Sequence, residues 1–445
     1  MIKIYSARWV ISSASAVIDN GAIAIEGSKV VGVGFSDEIK TKFPQAECEH
    51  YDESAIIPGL INTHTHLELT AMRGYLENEE TNFFAWLRKL TLARLELMTP
   101  DDIQVSATWG ACEAARAGIT AVGDASDSAV SSMTALKEVG LRGVVYQESF
   151  GPDPRLVTEN FEKLTTKVAQ LRGLESTRVK VGVSPHAPYT VCGKQLELIS
   201  DFAKSERLPL MMHAAESAAE DLLIRDGCGL FAEGLAKRGI EWKAQGISSI
   251  QYLHERGVLS VQPLLAHCIR VDERDIEKLV ASNSKVAHCP KSNAKLGHGR
   301  APFAEFLRHG VVTGLGSDSV ASNNTCDMLE EGRFAGLIAR SDAHVSAAEV
   351  FTTATTGGSR CLELEGVTGE LAEGVQADFA VLSLSATHQV PNYDPVTAAV
   401  FSSSGRDVLL TAVGGEEIFR DGVITNVDEQ RLKARMLEIA RKLHT

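Results

Sequence analysis

The run Pro58-Gly59-Leu60-Ile61-Asn62-Thr63-His64-Thr65-His66 carries a short apolar stretch into two histidines spaced two apart. Residues i and i+2 of a strand point to one face, so both imidazoles can reach one ion if the run is a strand. By itself the pair is weak evidence, because two histidines on a polar strand end also arise by chance. The rhythm of the chain beyond this run decides the fold. From Pro58 onward short apolar runs alternate with segments of helical periodicity, the pattern of parallel strands joined by crossover helices. Eight runs can be counted: Ile56 to Asn62, Ile119 to Gly123, Leu141 to Tyr146, Val179 to Ser184, Leu208 to His213, Leu264 to His267, Lys285 to His288 and Val311 to Leu315. Amphipathic segments lie between them, including Asp101 to Ala117, Gln195 to Glu206, Glu273 to Ser282 and Cys326 to Arg340, with Thr99-Pro100-Asp101 as a helix start. Eight strand-helix units over roughly 300 residues suit a (β/α)8 barrel with insertions.

Working outward, the segment before Pro58 reads as short strands at Ile4 to Ile11, Ala22 to Glu26 and Val30 to Gly34, with a hairpin turn at Gly27-Ser28-Lys29. After Gly366 strand character returns at Asp378 to Leu384, Val408 to Val413 and Glu417 to Phe419, before an Asp421-Gly422 turn and a helix from Glu429 to His444. The expected α/β organisation is a barrel over 59–365 beside a small composite β-sandwich domain assembled from 1–58 and 366–445, terminal helix included.

Composition narrows the class of function. The 445 residues are 44% hydrophobic and 23% charged, as in an ordinary folded protein. A formal net charge of -14 argues against a nucleic-acid or anionic-membrane partner, since phosphate binding draws on clustered Lys and Arg. A small-molecule substrate is expected, with homo-oligomeric assembly. The eight cysteines form no CxxC pair, which reads as reduced thiols. Neither a leader-like N-terminus nor an 18-residue apolar stretch stands out, so the expected location is cytoplasmic.

Of the 13 histidines, six fall at or just past an expected strand end: His64, His66, His186, His213, His267 and His288. The strand C-termini form the catalytic face of a barrel, so residues distant in sequence meet there. The fifth strand runs into His213-Ala214-Ala215-Glu216 and the eighth into Gly314-Leu315-Gly316-Ser317-Asp318, where glycines let the backbone approach a pocket. His64, His66, His213 and Asp318 are the expected ligands of one divalent metal. Three neutral imidazoles and a carboxylate suit Zn²⁺, with Fe²⁺ as the other candidate. Asp318 as a helix cap is the competing reading, and capping would not exclude ligation.

Such a metal lowers the pKa of water toward neutrality, yielding a nucleophile for an electron-poor ring carbon. Glu216 is then expected to protonate a ring nitrogen and pass a proton to the departing amine. The bland alternative is a salt-bridged surface glutamate. His267 is expected to orient the attacking water and stabilise developing charge, against the reading of a hydrogen-bonded core histidine. Asp318 is counted with Glu216 and His267 as catalytic, and His186 and Glu216 as substrate-binding. His288 and Asn293 are equally read as structural partners; His298, His309, His344, His388 and His444 are read as surface residues. The fourth strand ends in Val183-Ser184-Pro185-His186, without the lysine that bridges two metals, so one metal is expected.

Six stretches, PGLINTHTHLE (58–68), SPHAPYT (184–190), HAAES (213–217), LLAHC (264–268), VAHCPKSNAKL (286–296) and GLGSDSVASNN (314–324), resemble the amidohydrolase superfamily. The resemblance is to its cytosine-deaminase-like branch, which includes methylthioadenosine/S-adenosylhomocysteine deaminases, guanine deaminases and triazine hydrolases. It runs in order across nearly the whole chain. It implies a mononuclear Zn²⁺ or Fe²⁺ site at His64, His66, His213 and Asp318, proton handling by Glu216 and His267, and substrate contact at His186. Glu68, the FFAWLRKL stretch at 83–90 and the insert from Gly227 to Gly257 look more like the aminodeoxyfutalosine deaminases. The glutamate that grips ribose hydroxyls in the branch's nucleoside deaminases finds no ungapped counterpart; Glu96 is nearest.

The expected activity is hydrolytic deamination of an amino-substituted N-heteroaromatic ring, led by a 6-aminopurine nucleoside such as methylthioadenosine, S-adenosylhomocysteine or aminodeoxyfutalosine. A guanine or pterin deaminase, or an s-triazine amino- or chlorohydrolase, is the enzymatic alternative. A non-catalytic metal-binding scaffold is the alternative of another class, and it leaves Glu216 and His267 without a role.

Overall fold

The computed structural model describes residues 1–444. Strands β1 (Ile2–Ser13), β2 (Ala16–Glu26), β3 (Lys29–Phe35) and β4 (Glu47–Pro58) come first, and β5 (Leu60–Thr65) starts the barrel. The barrel continues through β6 (Ile119–Ser126), β7 (Arg142–Ser149), β8 (Val179–Pro185), β9 (Met211–Ala214), β10 (Leu264–His267), β11 (Lys285–His288) and β12 (Thr313–Leu315). Four strands complete the chain's β content: β13 (Phe379–Ser383), β14 (Val408–Val413), β15 (Glu416–Arg420) and β16 (Val423–Ile424).

The expected first barrel strand, Ile56 to Asn62, is in fact two strands of different sheets. Pro58 pairs with Phe379 in the small sheet, and Leu60 pairs with Ile119 in the barrel. The hand-over falls at Gly59, whose backbone passes so close to Thr120 that a Cβ there would lie 2.0 Å from its Oγ1. Only glycine tolerates that approach. The first half of β4, Glu47 to Ser54, is too polar to read as a strand, yet it pairs in parallel with β1.

The small unit is one continuous eight-stranded sheet, ordered β16-β15-β14-β13-β4-β1-β2-β3, so the two ends of the chain meet at the β4–β13 seam. It rolls back on itself: Val30 N–H donates to Val375 O at 3.0 Å and Ala377 N–H to Ser28 O at 2.8 Å. Tyr5, Ile23, Ile25, Ile56, Phe379 and Leu410 fill the enclosed core.

The barrel is distorted into two four-stranded parallel sheets, β5-β6-β7-β8 and β9-β10-β11-β12. They touch at β8/β9 through the Val183–Leu210 bridge and through His213 N–H, which donates to His186 O at 2.9 Å. At β12/β5 the seam is closed by Thr63 Oγ1–H donating to Leu315 O at 2.8 Å and by Asp318 N–H donating to His64 O at 2.9 Å. Ile61, Tyr146, Met211, Leu264 and Leu362 plug the lumen. The barrel is therefore a packed core whose chemistry belongs to the strand C-termini. Helix Pro100–Arg116 begins as expected at Thr99, which forms a reciprocal capping box with Asp102. Among the described residues no helix is long and apolar enough to cross a membrane.

Candidate active site

His64 and His66 leave the end of β5 on one face. Asn62 pairs with Val122 and Thr65 with Asp124, three steps against two, so a bulge at this point re-aims the pair. His64 Nδ1 lies 3.2 Å from the Met211 thioether, which can only accept, and its Nε2 is buried without a partner. His213 Nδ1–H donates to His186 O at 2.9 Å, which leaves its Nε2 bare as well, 3.2 Å from His66 Nε2. Asp318 Oδ1 completes the group at 3.6 Å from both His64 Nε2 and His66 Nε2. One donor atom from each of the four residues lies within 4.8 Å of the others.

These residues fit a metal ion. Orphaned imidazole nitrogens converging on one carboxylate are the donor set of a structural or catalytic cation site, and His64 and His213 are each oriented by a hydrogen bond on the far side. Burial drives the imidazoles toward the neutral form a ligand needs: His64 is lowered to about 4, and His66 and His213 are lowered likewise. Burial works against ionisation of Asp318, yet the neighbouring imidazoles hold it well below the usual carboxylate range. Its Oδ2 accepts from Ser292 Oγ and Ser322 Oγ at 2.6 Å each, and its Oδ1 from Ser319 N–H at 2.7 Å. The helix cap is Ser319, not Asp318. Gly316 permits the approach of this loop, since a Cβ there would lie 3.0 Å from that of His64.

Beside this group His267 Nδ1 lies 2.9 Å from Asn293 Oδ1, and His267 Nε2 faces Glu216 Oε1 at 3.7 Å. Glu216 is buried rather than salt-bridged at the surface, and burial pushes its carboxyl up to about 7. Tyr189 O–H donates to its Oε2 at 3.2 Å. Glu220, fully buried, accepts from the backbone N–H of Ala215 at 2.8 Å and of Glu216 at 3.1 Å, which holds the turn. Ala215, His267 and Asp318 all have positive φ, a cluster of strain of the kind found at functional sites.

His186 stands over this group, its ring 4.6 Å from that of His213. Its Nε2 and His66 Nδ1 are each 4.0 Å from Glu148 Oε1. Glu148, His186 and His213 form a second trio of ligand-type atoms that shares His213 with the first group. Glu148 also borders a cavity of about 690 Å³ lined by Phe150, Asn160 and Lys167. His288 does not join: its ring stacks on Phe303 at 4.9 Å. Asn293 acts through His267.

Glu96, the nearest candidate for a ribose-gripping glutamate, stays outside the site, and one expectation about position, that for His298, is overturned. Glu96 is exposed on the outer side of a π-helical turn, Ala93–Leu97, and lines a separate cavity of about 450 Å³. The extra residue of that turn presents Arg94 inward instead, 3.1 Å from Glu68 Oε1 and 3.0 Å from Asp127 Oδ2. His298 is not at the surface. Its side chain is 7% exposed, and its Nε2 lies 3.7 Å from Glu216 Oε1. Gly297 and Gly299 on either side of it were the signal that the loop turns back there.

The model of the amidohydrolase family matches residues 55–418. A 5-methylthioadenosine/S-adenosylhomocysteine deaminase of Natronomonas pharaonis is 32% identical over 390 residues, which cover 85% of this chain and 84% of that protein. The solved structure of a zinc-bound adenosine deaminase from Xanthomonas campestris matches at a TM-score of 0.88 with 24% identity, over 99% of this chain and 98% of that one. Helicobacter pylori aminofutalosine deaminase, in complex with methylthio-coformycin, matches at 0.81 with 20% identity, over 94% and 100%. The two structures speak for the fold; the family model, spanning most of the chain and all the residues gathered at the strand ends, shows that this protein belongs to the amidohydrolase family.

Proposed function

We propose that the protein is a metal-dependent deaminase that replaces the amino group of an N-heteroaromatic ring by oxygen and releases ammonia, acting on a 6-aminopurine nucleoside. The observation that carries this is the meeting of Glu216 and His267, 3.7 Å apart, beside the His64, His66, His213 and Asp318 cluster. The deaminase relative at 32% identity supports the ring chemistry.

A divalent ion in that cluster, with Zn²⁺ the best match to three imidazoles and a carboxylate, supplies Lewis acidity and a nucleophile active near neutral pH. Glu216 exchanges a proton close to neutrality, so it can deliver one to the ring nitrogen beside the attacked carbon, then as carboxylate take up the proton of the added hydroxyl and hand it to the departing amine. Asn293 Oδ1 accepts a hydrogen bond from His267 Nδ1–H, which leaves the Nε2 lone pair facing the cavity to orient the attacking water. His186 and Glu148 border the space left for the rest of the substrate. Eight free cysteines suit the reducing cytoplasm, and the reading includes a homo-oligomer whose catalytic domain is 59–365, flanked by the 1–58 and 366–445 pieces of the small unit.

Ammonia release is measured with adenosine, 5'-methylthioadenosine, S-adenosylhomocysteine and aminodeoxyfutalosine. Turnover of at least one, lost on chelation and restored by zinc, is expected. Silence across the four would remove this substrate class.

A further inference from the structure

Glu216 is flanked by two imidazoles. His267 Nε2 and His298 Nε2 each lie 3.7 Å from the same oxygen, Glu216 Oε1, and each is buried without a hydrogen-bond partner. His267 is accounted for by the attacking water. His298 is not: it lies outside the metal-ligating cluster, and nothing in the proposed mechanism uses it. Its ring packs edge-on at 4.5 Å against Phe83, which also meets Tyr189 and Phe231, so the imidazole is held in an apolar wall with one polar atom turned inward. A buried nitrogen left unpaired costs on the order of 1–3 kcal/mol, a cost a ligand can remove by supplying the partner.

The equal spacing suggests what that partner is. On a six-membered ring, a nitrogen and the exocyclic atoms on its two neighbouring carbons point outward side by side, as on the pairing edge of a nucleobase. With the leaving amino group beside His267 and the ring nitrogen at Glu216, the next outward position in line meets His298. We propose that His298 is a specificity-determining residue that hydrogen-bonds an exocyclic oxo or amino group on the ring carbon flanking the Glu216-bound nitrogen, on the side away from the leaving amine. The substrate class narrows accordingly, from any 6-aminopurine to one bearing such a group at C2. Burial lowers His298 to about 4, so at neutral pH its imidazole is uncharged and able to donate to an oxo group or accept from an amino group.

This inference rests on the deaminase reading, and the test separates the two. Ammonia release is followed for adenosine, 2-aminoadenosine and isoguanosine, with wild type, His298→Phe and His298→Gln, all checked for bound zinc and for folding by circular dichroism. The wild type is expected to favour at least one 2-substituted ring over adenosine at least tenfold in kcat/KM. His298→Phe should lower kcat/KM on that ring at least tenfold more than on adenosine, and His298→Gln, which keeps a donor and an acceptor, should restore part of the preference. If Phe does not fold, the Gln variant compared with His298→Leu serves the same purpose. A wild-type preference for adenosine, or a preference that survives loss of the imidazole, would overturn the role of His298 while leaving the deaminase reading intact. No ammonia from any of the three, with none from the nucleosides above, would bring down both.

Discussion

Asn293 holds His267: its Oδ1 is 2.9 Å from His267 Nδ1, and because an amide oxygen only accepts, the Nδ1 proton is fixed and Nε2 is left free toward Glu216. Second partners of this kind set both ring orientation and tautomer, and their loss costs about 10–100-fold. Asn293→Ala should therefore lower kcat by about that factor while KM and zinc content stay near wild type, since Asn293 meets the site through His267 and lies outside the metal cluster. Asn293→Asp should retain more activity than Ala because the acceptor persists. Steady-state kinetics with metal analysis checks both; a rise in KM with unchanged kcat would place Asn293 on the substrate instead.

Glu216→Gln separates proton handling from metal binding. The amide preserves shape and the Tyr189 contact but cannot deliver a carboxyl proton. Loss of a general acid-base group costs about 10²–10⁴-fold. The variant should lose turnover by that range with stoichiometric zinc retained, whereas His64→Ala should lose zinc and activity together. Activity above a tenth of wild type in Glu216→Gln would show that another group moves the proton.

Much of this site was legible because its residues sit on strand ends, where periodicity and spacing act directly. His64, His66, His213 and Asp318 converge for that reason, as do His267 and Glu216. Strand limits were less readable. Pro209 has no N–H to give a ladder, so β9 begins at Met211 rather than Leu208, and a glycine splits the strand expected over Ile56 to Asn62. Loop residues were the hardest. His298 lies ten residues past the end of β11, and its return to Glu216 depends on turns at Gly297 and Gly299, which signal that the chain bends but not toward what. Arg94 faces inward and Glu96 outward because one π-helical turn shifts the helix register by a residue. The meeting of the two chain ends in one small unit was expected, but not that the unit is a single rolled sheet with β4 and β13 at its seam.

Asp124 gives the pH dependence of stability a definite sign. It is fully buried, accepts the Leu67 N–H at 2.7 Å directly behind His66, and has a second oxygen without a partner. Burial pushes it up to about 8 from an ordinary value of 3.8. Between those values the folded protein holds a proton that the unfolded chain has released, so stability falls as pH rises from about 4 to about 8 and this group adds no further slope above that. Asp124→Asn removes the titration and keeps the acceptor. The difference in Tm, variant minus wild type, should therefore grow by a few degrees from pH 5 to pH 8 in scanning calorimetry. A difference that stays flat or shrinks would show that Asp124 is ionised in the fold.

Arg142 and Asp378 join the barrel to the small sheet through two buried hydrogen bonds, Nε to Oδ2 at 2.8 Å and Nη2 to Oδ1 at 3.1 Å, with side chains 4% and 0% exposed. Asp378 Oδ1 also accepts Gly414 N–H at 2.7 Å. Removing one partner strands the other charge in the interior, which costs about 3–5 kcal/mol, whereas replacing both by apolar groups of similar volume is often neutral. Asp378→Ala should thus lower Tm by about 3–5 °C. The double change Arg142→Met with Asp378→Leu should recover much of the loss, because no unpaired charge remains. Arg142 begins β7, at the face of the barrel opposite the strand C-termini, so kcat measured below the transition should change little in either variant. A double variant no more stable than Asp378→Ala would mean that the hydrogen bonds, rather than the stranded charge, dominate this junction.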